Sequence, residues 1–261
     1  MRKAATVGAV LMLVASAVAG LALAKGKRPK PTIVEAGSMV LEINGDLTPR
    51  VLPRHRPAPM GFWGSGRLST KDGSHPPALE SASFDADKDV FVGVKGLPAC
   101  RVGKLEARST RAAEAACGAA IIGHGSATVE VAFPEQPPFE STGPLVLFNG
   151  GERNGVVTVL AHAYVNVPAP TAVVATARFS RVNKGSLGLH GEVDVPRIAG
   201  GSGSVVAAEL TVRRVYSYKG TRLSVISGRC PDGRFQARGT FEYSDGTKLS
   251  AAVVRPCRAK D

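Results

Sequence analysis

Aromatic residues make up only 5% of this 261-residue chain, and there is a single Trp. A long stacking surface for glycans needs several aromatic faces in series. One for nucleic acid also needs basic side chains interleaved with them. Here the basic residues are dispersed along the chain, so nucleic acid is not expected as a partner. The sequence also lacks His-x-His, H-E-x-x-H and C-x-x-C spacings, which removes the usual zinc and copper arrays, and it lacks the G-x-S-x-G nucleophile elbow. Its 30 Gly and 18 Pro follow no Gly-X-Y period, which excludes collagen and points to many turns. Acidic residues are the scarcer sign, 21 against 33 Lys and Arg, for a net charge of +12. A hydrophobic fraction of 44% and a mean hydropathy of +0.04 fall in the ordinary globular range. The length suffices for one good core or two small ones.

The chain opens on Met1-Arg2-Lys3 and a small, apolar run from Ala4 to Ala24 that closes as Ala22-Leu23-Ala24 before Lys25. A short basic region, an apolar stretch and a small-x-small ending predict a signal peptide over residues 1–24, cleaved after Ala24. A retained anchor is the alternative, because a run of this length just spans a bilayer. No Cys follows for lipid attachment. Cleavage removes Arg2 and Lys3 and leaves a net charge of about +10. Residues 25–31, with Lys25, Lys27, Arg28 and Lys30 interrupted by Pro29 and Pro31, read as a basic flexible segment. For an exported, basic chain with no integral membrane domain after cleavage, the expected partners are anionic envelope components: phosphates, acidic glycans and lipid head groups.

Four Cys in a signal-bearing chain favour disulfides over metal ligation. Cys100, Cys117, Cys230 and Cys257 permit three connectivities, of which local pairing (Cys100 with Cys117, Cys230 with Cys257) is the simplest. Period-2 alternation predicts strands over Thr128–Phe133, over Val157–Val165, where Val157, Val159, Ala161, Ala163 and Val165 share a face, and over Thr171–Phe179. Residues Phe235–Tyr243 and Leu249–Val253 alternate on either side of Asp245-Gly246, which predicts a hairpin with a type I′ turn. Thr221–Arg229 is expected as the strand before it in a three-strand meander, which would leave Cys230 and Cys257 at one edge, roughly 10 Å apart. Ser109 and Thr110 offer N-cap hydroxyls to an Ala-rich helix near 110–117, with Gly118 as its stop. The Pro-rich N-terminal third is expected to be loop-rich β-structure. These features predict an all-β protein, an antiparallel β-sandwich or barrel-like fold with one short helix, over residues 32–261 with a candidate division near 96–100.

The strings Leu145-Val146-Leu147-Phe148-Asn149-Gly150, Ala161-His162-Ala163-Tyr164, Pro168-Ala169-Pro170-Thr171, Tyr216-Ser217-Tyr218-Lys219-Gly220 and Arg229-Cys230-Pro231 resemble a group of uncharacterised secreted proteins of GC-rich actinobacteria. The resemblance covers about Gly96 to Cys257. It implies export, and brings no activity, substrate or catalytic residue with it.

Several residues are candidates for chemistry. Gly123-His124-Gly125-Ser126 sets an imidazole and a hydroxyl among glycines. On a strand the two would lie about 6.5–7 Å apart, too far for a direct nucleophile–base pair. Asp85, Asp87 and Asp89 open like a calcium loop, but Val90 stands where the sharp turn needs Gly and Gly96 where a bidentate Glu belongs. Ca²⁺ is the only cofactor they suggest, against a plain acidic turn. Trp63, within Gly61-Phe62-Trp63-Gly64-Ser65-Gly66, is either an exposed platform for a sugar or peptide or a cover over a small core. Glu130, Glu135 and Glu140 could act as paired carboxylates only if folding brings two together, and His162 reads as a structural, hydrogen-bonded histidine. The residues favour a secreted, non-enzymatic β-protein that associates with the cell envelope or an extracellular anionic ligand. The alternative is a secreted hydrolase whose site forms only in three dimensions.

Overall fold

The computed structural model describes residues 28–260 except 167–168. The expected signal peptide, Lys25 and Lys27 lie outside the described residues. In chain order the strands are β1 (Thr32–Ala36), β2 (Met39–Thr48), β3 (Val51–Pro53), β4 (Ala58–Thr70), β5 (Leu79–Asp87) and β6 (Val90–Val92). A helix, α1 (Thr110–Cys117), precedes β7 (Ile121–Val131), β8 (Phe139–Arg153), β9 (Val156–Val165), β10 (Thr171–Lys184), β11 (Leu187–Asp194) and β12 (Gly203–Val212). Then come β13 (Val215–Tyr218), β14 (Thr221–Ser224), β15 (Ile226–Gly228), β16 (Arg234–Tyr243), β17 (Lys248–Pro256) and β18 (Arg258–Lys260). The fold is all-β. One antiparallel sheet runs β1-β2-β4-β12-β7-β8-β9-β10-β11-β5-β16-β17, with β15 pairing to β4 and β6 beside it. It is continuous across residues 96–100, because β5 from the N-terminal third sits between β11 and β16.

The sheet curls until β17 returns to β2, a nearly closed barrel. Arg255 on β17 donates from Nε to the Gly45 carbonyl (2.7 Å) and from Nη2 to Asn44 Oδ1 (2.8 Å). Met39, Leu41, Leu68, Tyr243 and Leu249 form one buried cluster across this seam. β1 and β17 remain the two ends of the hydrogen-bonded path, so side chains rather than a backbone ladder bridge this seam.

Alternation sorts the side chains as the sequence predicts on β9, where Val157, Val159, Ala161 and Ala163 join the main core with Leu145, Leu147 and Ala177. The other face of β9 is buried too. Outside the barrel, α1 lays Ala113 and Cys117 over Val146, Phe148 and Leu160, and His162, fully buried, meets the Arg108 carbonyl through Nε2 at 3.0 Å. Ser109 caps the helix, its Oγ accepting from Ala112 N at 3.4 Å. Gly118 does not stop it by a left-handed turn. Its right-handed angles (φ −54°, ψ −38°) pass the chain into a 3-10 turn.

Both disulfides form by local pairing, Cys100–Cys117 (Cα–Cα 5.7 Å) and Cys230–Cys257 (6.1 Å). Two expectations need correcting. The partner of β16 opposite β17 is β5, not Thr221–Arg229, so there is no three-strand meander. Cys230 still reaches Cys257 because the 229–233 segment arrives beside the end of β17, where Cys257 N donates to the Gly233 carbonyl (2.9 Å). The β16–β17 turn is not type I′ either. Only Gly246 has positive φ (83°), Gly246 N donates to Tyr243 O (2.9 Å) and Tyr243 N to Thr247 O (3.0 Å), the pattern of a three-residue loop with a type I turn and a G1 bulge.

Because neighbouring strands run in opposite directions, their connections fall at two ends. At one end lie residues 49–57, 88–120, 154–155, 185–186, 213–233 and the 257–260 tail, which include β3, β6, β13, β14, β15, β18, α1 and all four Cys. At the other lie 37–38, 71–78, 132–138, 166, 169–170, 195–202 and 244–247.

Candidate functional site

On the barrel wall, β2, β4, β12 and β7 present Asn44, Trp63, Glu209 and Ser126 to the same side, since residues two apart on a strand share a face. They line a groove of about 390 Å³ that also takes in Glu42, Ser65, Arg67, Thr128, Arg28 and Pro31. Trp63 is half-buried in its floor, neither a free platform nor a lid over core. Its Nε1 donates to Glu209 Oε1 at 2.8 Å. Arg28 lies over the indole, its guanidinium carbon 4.4 Å from the ring centre, and pairs with Glu209 at 3.0 Å. The bond from Trp63 and the charge of Arg28 hold the Glu209 carboxyl below the usual carboxylate range, against the effect of burial.

Ser126 opens into this groove, whereas His124, also exposed, has its nearest charged partner in Glu114 of α1 at 4.0 Å. The two are not brought together. Their flanking glycines answer to packing: a side chain at Gly125 would run into the Glu209 carbonyl, and one at Gly123 into that of Thr211. The amides of this stretch belong to a sheet strand, not to an oxyanion pocket.

The Asp-x-Asp-x-Asp run is divided among separate protein partners. Asp85 takes His190 Nδ1 (2.7 Å) and Lys184 Nζ (3.2 Å). Burial opposes it, yet these bonds keep its carboxyl below the ordinary range. Asp87 is buried and accepts Asp89 N (3.0 Å), and burial pushes its carboxyl up. Asp89, also buried, receives Arg229 Nε at 2.5 Å. Among the described residues, no group of three or more His, Cys, Asp or Glu is placed to hold a metal ion, so the calcium-loop expectation finds no coordination site here.

Folding also assembles a chain of groups from three distant segments. His75 Nδ1 stands 2.6 Å from Glu130 Oε1 and its Nε2 3.3 Å from Ser204 Oγ. The order Ser–His–Glu resembles a hydrolytic triad, but the proton inventory differs. The Ser204 hydroxyl donates to the Pro76 carbonyl, so it accepts from the imidazole, and Ser204 is fully buried. This arrangement pins the 71–78 connection to the wall. Glu140 stands opposite Glu130 in the β7–β8 register, and Glu130 is bound to His75. No local spacing in the sequence signals the trio.

The two ends of the barrel differ in charge. Connections at the Cys-bearing end hold sixteen Lys and Arg against four Asp and Glu, while those at the other hold two against three. Arg54, Arg56, Arg213, Arg214 and Arg222 are exposed there and form no ion pair with a described carboxylate. Arg213 and Arg222 flank a shallow cleft of about 370 Å³ floored by Pro49, Pro59, Met60 and Val215. Val215 and Val51, 39% and 51% exposed, add apolar surface at this end. The dispersal of basic residues in sequence therefore becomes a concentration in space. No family model, curated protein or solved structure matches the chain. No helix among the described residues is long and apolar enough to cross a membrane.

Proposed function

We propose that this is an exported, non-enzymatic binding protein that attaches through its basic end to an anionic component of the cell envelope. The observation that supports this reading is the segregation of charge: sixteen basic and four acidic residues in the connections at one end. Unpaired arginines suit phosphate and carboxylate groups because the guanidinium donates in a fixed fork. The apolar floor between Arg213 and Arg222 suits an anionic head on an apolar base. Each basic residue held near an anionic membrane contributes about 1 kcal/mol, a sum that salt screens away.

The test is co-sedimentation with envelope fractions and with phosphatidylglycerol vesicles at low and high salt. Binding should fall steeply with ionic strength and be weak on phosphatidylcholine. Joint replacement of Arg54, Arg56, Arg213 and Arg222 by Glu should lower it more than about a hundredfold, whereas Lys71→Glu with Arg197→Glu, at the other end, should leave it unchanged. Salt-insensitive binding, or equal loss from both sets, would contradict the proposal.

A further inference from the structure

The Trp63 groove already holds a peptide, the chain's own residues Arg28–Pro31. Arg28 stacks on the indole and meets Glu209 with two nitrogens, Nη2 to Oε1 at 3.0 Å and Nη1 to Oε2 at 3.4 Å. One residue on, Asn44 Nδ2 donates to the Pro29 carbonyl at 2.6 Å. The groove thus reads an arginine side chain and a backbone carbonyl in an Arg-Pro-Lys-Pro segment. Aromatic floor, acidic wall and amide donor are what an extended proline-spaced peptide requires of its receptor, since such a segment has no internal hydrogen bonds and little conformational entropy to lose. The arm is held by an exposed ion pair. Arg28 and Glu209 are 64% and 43% exposed, and a pair so exposed adds little to stability, which leaves a competing segment little to overcome.

We infer that this groove is a binding site for an arginine-bearing, proline-rich segment of a partner protein, and that residues 28–31 are a tethered competitor for it. It lies on the wall of the barrel, apart from the basic end, and needs nothing from the envelope proposal. A partner segment entering the groove displaces the arm, so arm and partner oppose each other by mass action at the effective concentration set by the short tether.

Trp63 is the single Trp, so its fluorescence reports on the groove alone. The full chain and its Arg28→Ala variant are titrated with the peptide Lys-Gly-Lys-Arg-Pro-Lys-Pro and with a version carrying Ala for Arg. Melting followed by circular dichroism establishes that each variant is folded. Removing the competitor is expected to tighten peptide binding about tenfold or more. Glu209→Gln added to Arg28→Ala should weaken it about tenfold by taking away the charge that orients the guanidinium. An unchanged emission up to about 1 mM peptide in Arg28→Ala, a range set by tethered-arm concentrations, would overturn the inference. So would equal affinity for the Ala peptide, equal peptide affinity with and without Arg28, or a response to neutral oligosaccharides in place of the peptide.

Discussion

The Asp89 carboxylate is 1% exposed and its one charged partner among the described residues is Arg229, itself 37% exposed. An ion removed from water needs that partner far more than two surface charges need each other. Arg229→Ala should therefore cost about 3 kcal/mol in urea unfolding, at the low end of what breaking a buried pair costs because water reaches the guanidinium. Asp89→Asn in the same background should recover part of the loss by removing the stranded charge. A loss within the range of ordinary surface substitutions would mean that Asp89 is solvated. Asp87, two residues away and with its carboxyl pushed up by burial, has the opposite sign. Its raised value favours the folded state in acid and works against it as pH rises past the ordinary carboxylate range.

At the scale of elements, α1 is short, and helices of two turns rarely hold without tertiary support. It is held by Ser109 at its start, by Ala113 against the wall and by the Cys100–Cys117 bond at its end. Replacing both cysteines by Ser should cost about 3 kcal/mol, the loop-entropy value for a closure of this length. Amides 110–117 should then exchange faster than those of β8 and β9, and uniform protection across all three would contradict this account. What the sequence made legible here is local. The Ser109 cap, the β9 alternation and the β16–β17 hairpin each depend on residues a few positions apart. The place of β5 between β11 and β16 was not legible, because its partners lie more than a hundred residues downstream and several strands share its alternating pattern. The candidate sites divide the same way. Trp63 stood out as the one Trp, but its partners Glu209 and Arg28 come from a distant strand and from the arm, and His75, Glu130 and Ser204 carry no common motif. The type I′ reading failed because Asp-Gly also suits a type I turn with a bulge, where Gly alone takes positive φ.

At the scale of the whole molecule, the barrel depends on its seam. Tyr243 lies in the cluster that spans it, and burial pushes its phenol up to about 12. A raised phenol favours the neutral form in the folded state. Its contribution is intact below pH 10, the ordinary value, and is lost as pH climbs from 10 to about 12. Thermal melts of the wild type should drop through that window more than those of Tyr243→Phe, and parallel curves would mean that the seam opens before Tyr243 ionises.

A body with cationic connections at one pole and a slight acidic excess at the other carries a large permanent dipole along the barrel axis. Near a negatively charged layer it feels a torque as well as a pull, within a Debye length of about 8 Å at physiological salt. On the proposed reading it would land upright on its basic pole. The Trp63 groove, set in the wall, would then face sideways along the layer at mid-strand height, open to lateral neighbours rather than to the surface beneath.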